Sequence, residues 1–256
     1  MASKAQRIGL VTGAASGIGR ATAQLLASEG AHLCVLDTDA DGGRATVEMI
    51  EGDGGSAEFV LCDVSSGALV EEAIGGIAAR HGRLDFAHNN AGICPVGYSP
   101  DTLPEELWDR VIGVNLKGVW LALKHESTIM RAQGSGAIVN TSSVCGLRAT
   151  AMSAPYNTSK HGVIGLTLEA ALDLAPHGVR VNAVLGPIDT AMARGIGTEE
   201  QIQALGALAP MGRIGLPEDI AGAVAWLVSD AAAYVTGHSL LVDGGLSIPL
   251  PGNVDA

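Results

Sequence analysis

Positive charge is scarce in this chain of 256 residues: 15 Lys and Arg stand against 27 Asp and Glu, a formal net charge of −12. That balance argues against nucleic acid or an anionic membrane surface as a partner. Cysteine is also scarce. Cys34, Cys62, Cys94 and Cys145 show no CxxC pairing and no histidine cluster beside them, so they read as buried thiols of a reducing compartment, not as disulfides or a zinc site. No uninterrupted apolar stretch is long enough to span a bilayer. Residues 1–7 run into strand-like sequence without an apolar signal core, and a cytoplasmic location is expected. His88, His125 and His238 have no ligand spacing, and no metal is expected.

Apolar residues, by contrast, make up 47% of the chain and charged residues only 16%. That excess suits a sheet covered on both faces, and the length suits one α/β domain over residues 1–256. β-rich runs at 8–12, 32–37, 58–62, 84–88, 137–141, 179–185 and 239–242 alternate with helical patterns at 18–29, 42–50, 67–80, 104–130, 156–175 and 217–228. The alternation predicts a Rossmann-like doubly wound parallel sheet of about seven strands with helices on both faces. There is no internal repeat, low-complexity segment or linker.

Gly13, Gly17 and Gly19 follow the first strand and open the first helix, so backbone N–H groups can approach a pyrophosphate there, with Ser16 and Ile18 in the same turn. Tight βα turns also need glycine on steric grounds alone. Asp37 closes the second strand. A carboxylate at that point accepts both ribose hydroxyls and repels a 2′-phosphate, which predicts NAD over NADP. Asp63, with Val64 beside it, follows the third strand and is placed to meet the adenine amino group. Asn90, Ala91 and Gly92 end the fourth with small residues that let a ligand approach.

Tyr156 and Lys160 are four apart on a predicted helix and share a face. A free phenol titrates near about 10. A neighbouring ammonium and an oxidised nicotinamide would lower that value and make it a usable base. Ser143, thirteen residues before Tyr156 at a strand end, can donate to the same substrate oxygen. His161 points off this face.

The order Gly-rich turn, Asn-Ala-Gly, Asn115, Ser143, Tyr156, Lys160 resembles the short-chain dehydrogenase/reductase family, in its single-domain branch, from about Gly9 to Gly245. The resemblance implies Tyr156 as general acid/base and Ser143 as the group that polarises the carbonyl or alcohol. It implies Lys160 as tuner of the phenol and holder of the nicotinamide ribose, and Asn115 as holder of a relay water. It favours Ser143 over Ser142 by the offset to the tyrosine. Pro187, Ile188 and Thr190 match the segment that holds nicotinamide and diphosphate, although Val184-Leu185-Gly186-Pro187 is one residue shorter than the family's pattern, a change the loop is expected to absorb.

The substrate cleft is expected from residues 93–98, 144–152 and a lid over 187–216. Pro95, Cys145, Ala149 and Met192 stand in its lining, which suits a small neutral alcohol or ketone. Alicyclic or other secondary alcohols fit best. Sugar or polyol dehydrogenation, 3-oxoacyl thioester reduction and a non-catalytic NAD-binding scaffold are the alternatives; the presence of both Tyr156 and Lys160 speaks against the last. Segment 156–175 is apolar around too much of its circumference for one sheet face, and the family commonly forms tetramers or dimers, so a homotetramer or homodimer is expected.

Overall fold

In the computed structural model, residues 6–248 are described, so the ends of the expected 1–256 domain lie outside the described residues. The strands are β1 (Ile8–Thr12), β2 (His32–Asp37), β3 (Ser56–Leu61), β4 (Phe86–Asn89), β5 (Gly136–Thr141), β6 (Val179–Leu185) and β7 (Ser239–Leu241). They form one sheet in the order β3-β2-β1-β4-β5-β6-β7, and every pairing is parallel. The helices are α1 (Gly17–Ser28), α2 (Ala40–Gly52), α3 (Gly67–His81), α4 (Glu105–Ile112), α5 (Gly118–Gln133), α6 (Ala154–Leu174), α7 (Ala191–Arg194), α8 (Glu199–Ala207) and α9 (Pro217–Val228). This is the Rossmann-like doubly wound α/β fold.

Continuous apolar runs are needed in the inner strands β1, β2, β4, β5 and β6, which are buried along most of their length. Leu10, Cys34, Ile138 and Val181 face one core, filled by Ile74, Leu121, Met130 and Val163 of α3, α5 and α6. Their chain neighbours Val11, Val35, Val139 and others face a second core with Leu26 of α1 and Ile220, Val224 and Leu227 of α9. Gly9 is required at one contact: a Cβ there would be built into the ring of Phe86, which is fully buried on β4. Burying that ring contributes about 1.5–3 kcal/mol.

Three departures from the sequence reading stand out beside shifts of one or two residues at other element ends. β4 starts at Phe86, not residue 84, because Asp85 spends its carboxylate on the Ile8 N–H (2.7 Å) and Gln133 takes the Leu84 N–H (2.7 Å). The helix expected over 104–130 is interrupted by a π turn at Gly113–Lys117. Segment 187–216 contains α7 and α8, which no helical pattern announced.

The sheet's order reverses between β1 and β4, and a crevice opens beyond their C-terminal ends, as it does in other open parallel sheets. Thr12 pins it: its Oγ1 accepts from the N–H groups of Asn90 (2.9 Å) and Ala91 (3.0 Å), while Asn90 Nδ2 donates to the Thr12 carbonyl (3.1 Å).

Candidate active site

A cavity of about 940 Å³ lies along this edge of the sheet. It is lined by Gly13, Ser16, Gly17 and Ile18 after β1, Asp37 after β2, Asp63 and Val64 after β3, Asn90–Gly92 after β4, Ser142 and Ser143 after β5, Tyr156 and Lys160 from α6, and Pro187, Ile188 and Thr190 after β6. Gly19 and Asn115 are not in the lining. Gly19 is buried behind the turn, where a Cβ would strike the Gly13 carbonyl. Cys145 and Met192 line the cavity, whereas Pro95 and Ala149 do not; their neighbours Cys94, Val96 and Thr150 do.

These residues fit a dinucleotide. Gly13 and Gly17 have left-handed φ of +66° and +53°, and a Cβ on Gly13 would stand 2.8 Å from Ala91 Cα. Ser16 precedes α1 and makes no side-chain cap hydrogen bond, which leaves the first N–H groups of the helix open to an anion beside the cavity-lining Gly17 and Ile18. The Asp37 carboxylate is braced by the N–H groups of Ala15 (2.9 Å) and Asp39 (3.0 Å). Arg20 approaches the same turn, but its guanidinium donates to the carbonyls of Ala15 and Gly42 and to Thr46 Oγ1. One Asp63 oxygen accepts from both the N–H (2.9 Å) and the hydroxyl (2.7 Å) of Ser65.

The chemical end is built by α6 packing on the end of β5. Lys160 Nζ donates to the Thr141 carbonyl (2.8 Å), and Ser142 Oγ donates to the Lys160 carbonyl (2.8 Å). Ser142 is thereby committed to structure, and Ser143 is the serine whose hydroxyl bonds to the Tyr156 phenol. The Lys160 ammonium lies 5.6 Å from the Tyr156 ring centroid. Asn115 sits in the π turn. Its carboxamide clamps both backbone groups of Ile93 at 2.8 Å.

In the protein alone, without the nicotinamide charge, electrostatics runs in the opposite direction to the expected lowering of the phenol. Burial raises the Tyr156 phenol above its ordinary value, the cavity thiols Cys94 and Cys145 push the same way, and only the Ser143 hydrogen bond opposes. Burial likewise lowers the Lys160 ammonium, to about 8. Cys94 and Cys145 are not core thiols either: both are half-buried in the cavity wall, and burial raises Cys94 to about 11.

The lid contributes residues the sequence reading missed, including Ile196, Gln201, Ile202 and Leu205. Thr198 and Gln201 form a capping box at the start of α8, and that Thr-x-x-Gln spacing was the available signal. Thr190 caps α7 through the Ala193 N–H (3.2 Å). The shortened segment is absorbed after Leu185: pairing with β7 persists to Leu185–Leu241, and Ile188 then bridges to Gly215. Arg194 is tied to Asp189 (2.7 Å) and Arg148 to the Ser247 carbonyl (2.6 Å), while Arg110 stands at the cavity rim.

Residues 13–247 match the family model described as enoyl-(acyl carrier protein) reductase. The chain belongs to the short-chain dehydrogenase/reductase family. These are oxidoreductases that use a nicotinamide cofactor. It is 42% identical to cis-4-hydroxycyclohexanecarboxylate dehydrogenase of Sinomonas cyclohexanicum, over 94% of this chain and 96% of that one. It is 41% identical to a putative ketoacyl reductase of the monensin polyketide synthase from Streptomyces virginiae, over 96% and 99%. The crystal structure of levodione reductase superposes with a TM-score of 0.88 at 37% identity, covering 93% of this chain and 96% of the other.

Beneath the site lies a buried polar network. Asn89 Nδ2 donates to Glu126 Oε2 (3.0 Å) and to Asn140 Oδ1 (3.1 Å), and Asn140 Nδ2 donates to Thr167 Oγ1 (3.0 Å). Burial raises Glu126 to about 8. Glu126 Oε1 and Asn89 Oδ1 both lack a partner, and a carboxylic acid facing a carboxamide supplies the donor that both need. From the ordinary 4.5 up to about 8 the folded state keeps this proton while the unfolded chain releases it, so stability falls as pH rises through that window. The slope from this group approaches about 1.4 kcal/mol per pH unit. Glu126→Gln should therefore gain stability relative to the wild type as pH rises from about 5 to about 8. Urea denaturation at several pH values measures this, and a constant difference between the two proteins would refute a neutral Glu126.

Proposed function

We propose that this chain is an NAD(H)-dependent dehydrogenase/reductase interconverting a secondary, alicyclic alcohol and its ketone. The observation that carries the reading is one cavity with a braced Asp37 carboxylate at one end and Ser143, Tyr156 and Lys160 at the other. The nicotinamide, when bound, supplies the hydride chemistry. Ser143 holds the substrate oxygen, and Tyr156 gives or takes the proton at that oxygen. Lys160, anchored on Thr141, holds the nicotinamide ribose and biases the phenol toward ionisation. Asn115 acts by fixing Ile93 in the cavity wall. Gly13, Ser16, Gly17 and Ile18 hold the diphosphate, with Gly19 giving the turn room to close. Asp37 takes the adenosine ribose; Asp63 and Val64 flank the adenine, and Asn90, Ala91 and Gly92 form the floor. Pro187, Ile188 and Thr190 close on the nicotinamide.

Val96, Met192, Ile196, Ile202 and Leu205 give the substrate end an apolar wall, which favours a neutral ring over a polyol. The cis-4-hydroxycyclohexanecarboxylate dehydrogenase relative supports an alicyclic alcohol. Reduction of a 3-oxoacyl thioester is the second reading. Arg110 at the rim and the polyketide relative favour it, while the Asp37 carboxylate and the acidic surface weigh against NADPH and an acidic carrier. Exposed Trp120 on α5 with Leu168 and Leu172 on α6, the last 78% exposed, supports assembly into a homotetramer or homodimer; a monomer by light scattering would contradict that part. A cytoplasmic setting belongs to the reading and rests on four unpaired thiols.

The reading is tested by following NADH absorbance over alicyclic alcohols, polyols and oxoacyl thioesters. Alicyclic substrates should turn over best with NAD. Tyr156→Phe should lower kcat/KM by at least about 10²-fold with NADH affinity retained, and Asp37→Arg should move preference toward NADP. Full turnover by Tyr156→Phe would refute the role of the phenol, and unchanged NAD preference in Asp37→Arg would refute that of the carboxylate.

A further inference from the structure

At the opposite end of the sheet, His32, Cys34, Glu58 and His81 place one donor atom each within 4.8 Å of one another. This overturns the sequence reading that no histidines gather near the cysteines. His32 and Cys34 share a face of β2. Cys34 lies in register with Glu58 on β3, and His81 arrives at the last turn of α3.

The details differ from those of an ordinary surface cluster. His32 Nδ1 is bonded to Ser56 Oγ (2.7 Å), and its other nitrogen, Nε2, is buried without a partner. Metal-binding imidazoles are arranged in this way: one nitrogen is fixed by an outer hydrogen bond, and the other presents its lone pair. Cys34 Sγ (3.3 Å) and His81 Nε2 (3.0 Å) both converge on Glu58 Oε1, and the two imidazole rings stand with centroids 4.7 Å apart. Two nitrogens, one sulfur and one carboxylate oxygen form a donor set for a borderline-soft, tetrahedral ion. Ligand atoms around zinc are separated by about 3.4–3.8 Å given its bond lengths, so small side-chain rotations close the site.

We propose that His32, Cys34, Glu58 and His81 bind one Zn²⁺ ion. On binding, the Cys34 thiol proton leaves to solvent, and Arg80, now on Glu58 Oε1 (2.8 Å) and 48% exposed, gives up that ion pair as the metal takes its place on the carboxylate. The ion staples β2, β3 and the end of α3. Its β2 ligands His32 and Cys34 lie five and three residues before Asp37, roughly 17 and 10 Å along the strand, so it acts on stability and not on the chemical step.

The test is independent of turnover. Metal-stripped wild-type protein titrated with Co²⁺ should develop an intense thiolate-to-cobalt charge-transfer band at one equivalent, Zn²⁺ should abolish that band, and Zn²⁺ should raise Tm. Cys34→Ser should lose the band and His81→Gln should weaken binding by at least about tenfold, whereas Cys62→Ser should behave as wild type. A folded wild type with no band and no Zn²⁺-dependent Tm overturns the proposal without reference to any variant. Persistence of the band in Cys34→Ser also overturns it.

Discussion

The lock between Thr12 and Asn90 is the constraint on which the rest of the site depends. Two parallel strands whose sequence neighbours lie on opposite sides diverge at their C-terminal ends. Here the Thr12 hydroxyl accepts two N–H groups from the far strand, and a carboxamide reaches back to its carbonyl. That fixes the width of the crevice into which Gly13 and Gly17 turn. With the width fixed, a Cβ at Gly13 has nowhere to go, and the turn needs glycine for its approach to Ala91 as well as for its left-handed φ. The Asn89–Glu126–Asn140 network continues the same bracing one residue deeper in the sheet.

Most of the frame was legible because it follows from burial and periodicity. The ranges of β1, β2, β6 and α9 match the sequence reading residue for residue: apolar runs bounded by Gly, Asp or Pro leave little freedom. The cofactor side was legible for a related reason. A parallel sheet puts its strand ends along one edge, so Asp37, Asp63 and Asn90 could be placed before any geometry was known. The π turn was hidden because one extra residue in a helical turn leaves apolar spacing nearly intact. The lid helices were hidden by their shortness. Pro95 and Ala149 alternate with the residues that actually face the cavity, and loop direction is not written in spacing. His32, Cys34, Glu58 and His81 come from three separate elements, so their meeting is set by the β2–β3 register and by where α3 ends.

Burial sets the site's electrostatics in a direction that sequence adjacency does not reveal. A lysine one helical turn from a tyrosine suggests a phenol made acidic by its neighbour. In the folded chain both groups are desolvated, so the ammonium loses part of its own charge preference while the phenol becomes a weaker acid than in water. Ser143 offsets some of that cost by hydrogen bonding. The protein's own residues thus favour the protonated phenol, and a positive charge brought into the cavity would pull the other way.

That claim is open to direct measurement. The chain has 3 tyrosines, so the ultraviolet ionisation of wild type minus Tyr156→Phe isolates one phenol. Without dinucleotide, its ionisation should occur well above the ordinary tyrosine value of about 10, and added NAD⁺ should move it downward. Ionisation at or below the ordinary value in the free protein, unmoved by NAD⁺, would contradict the account.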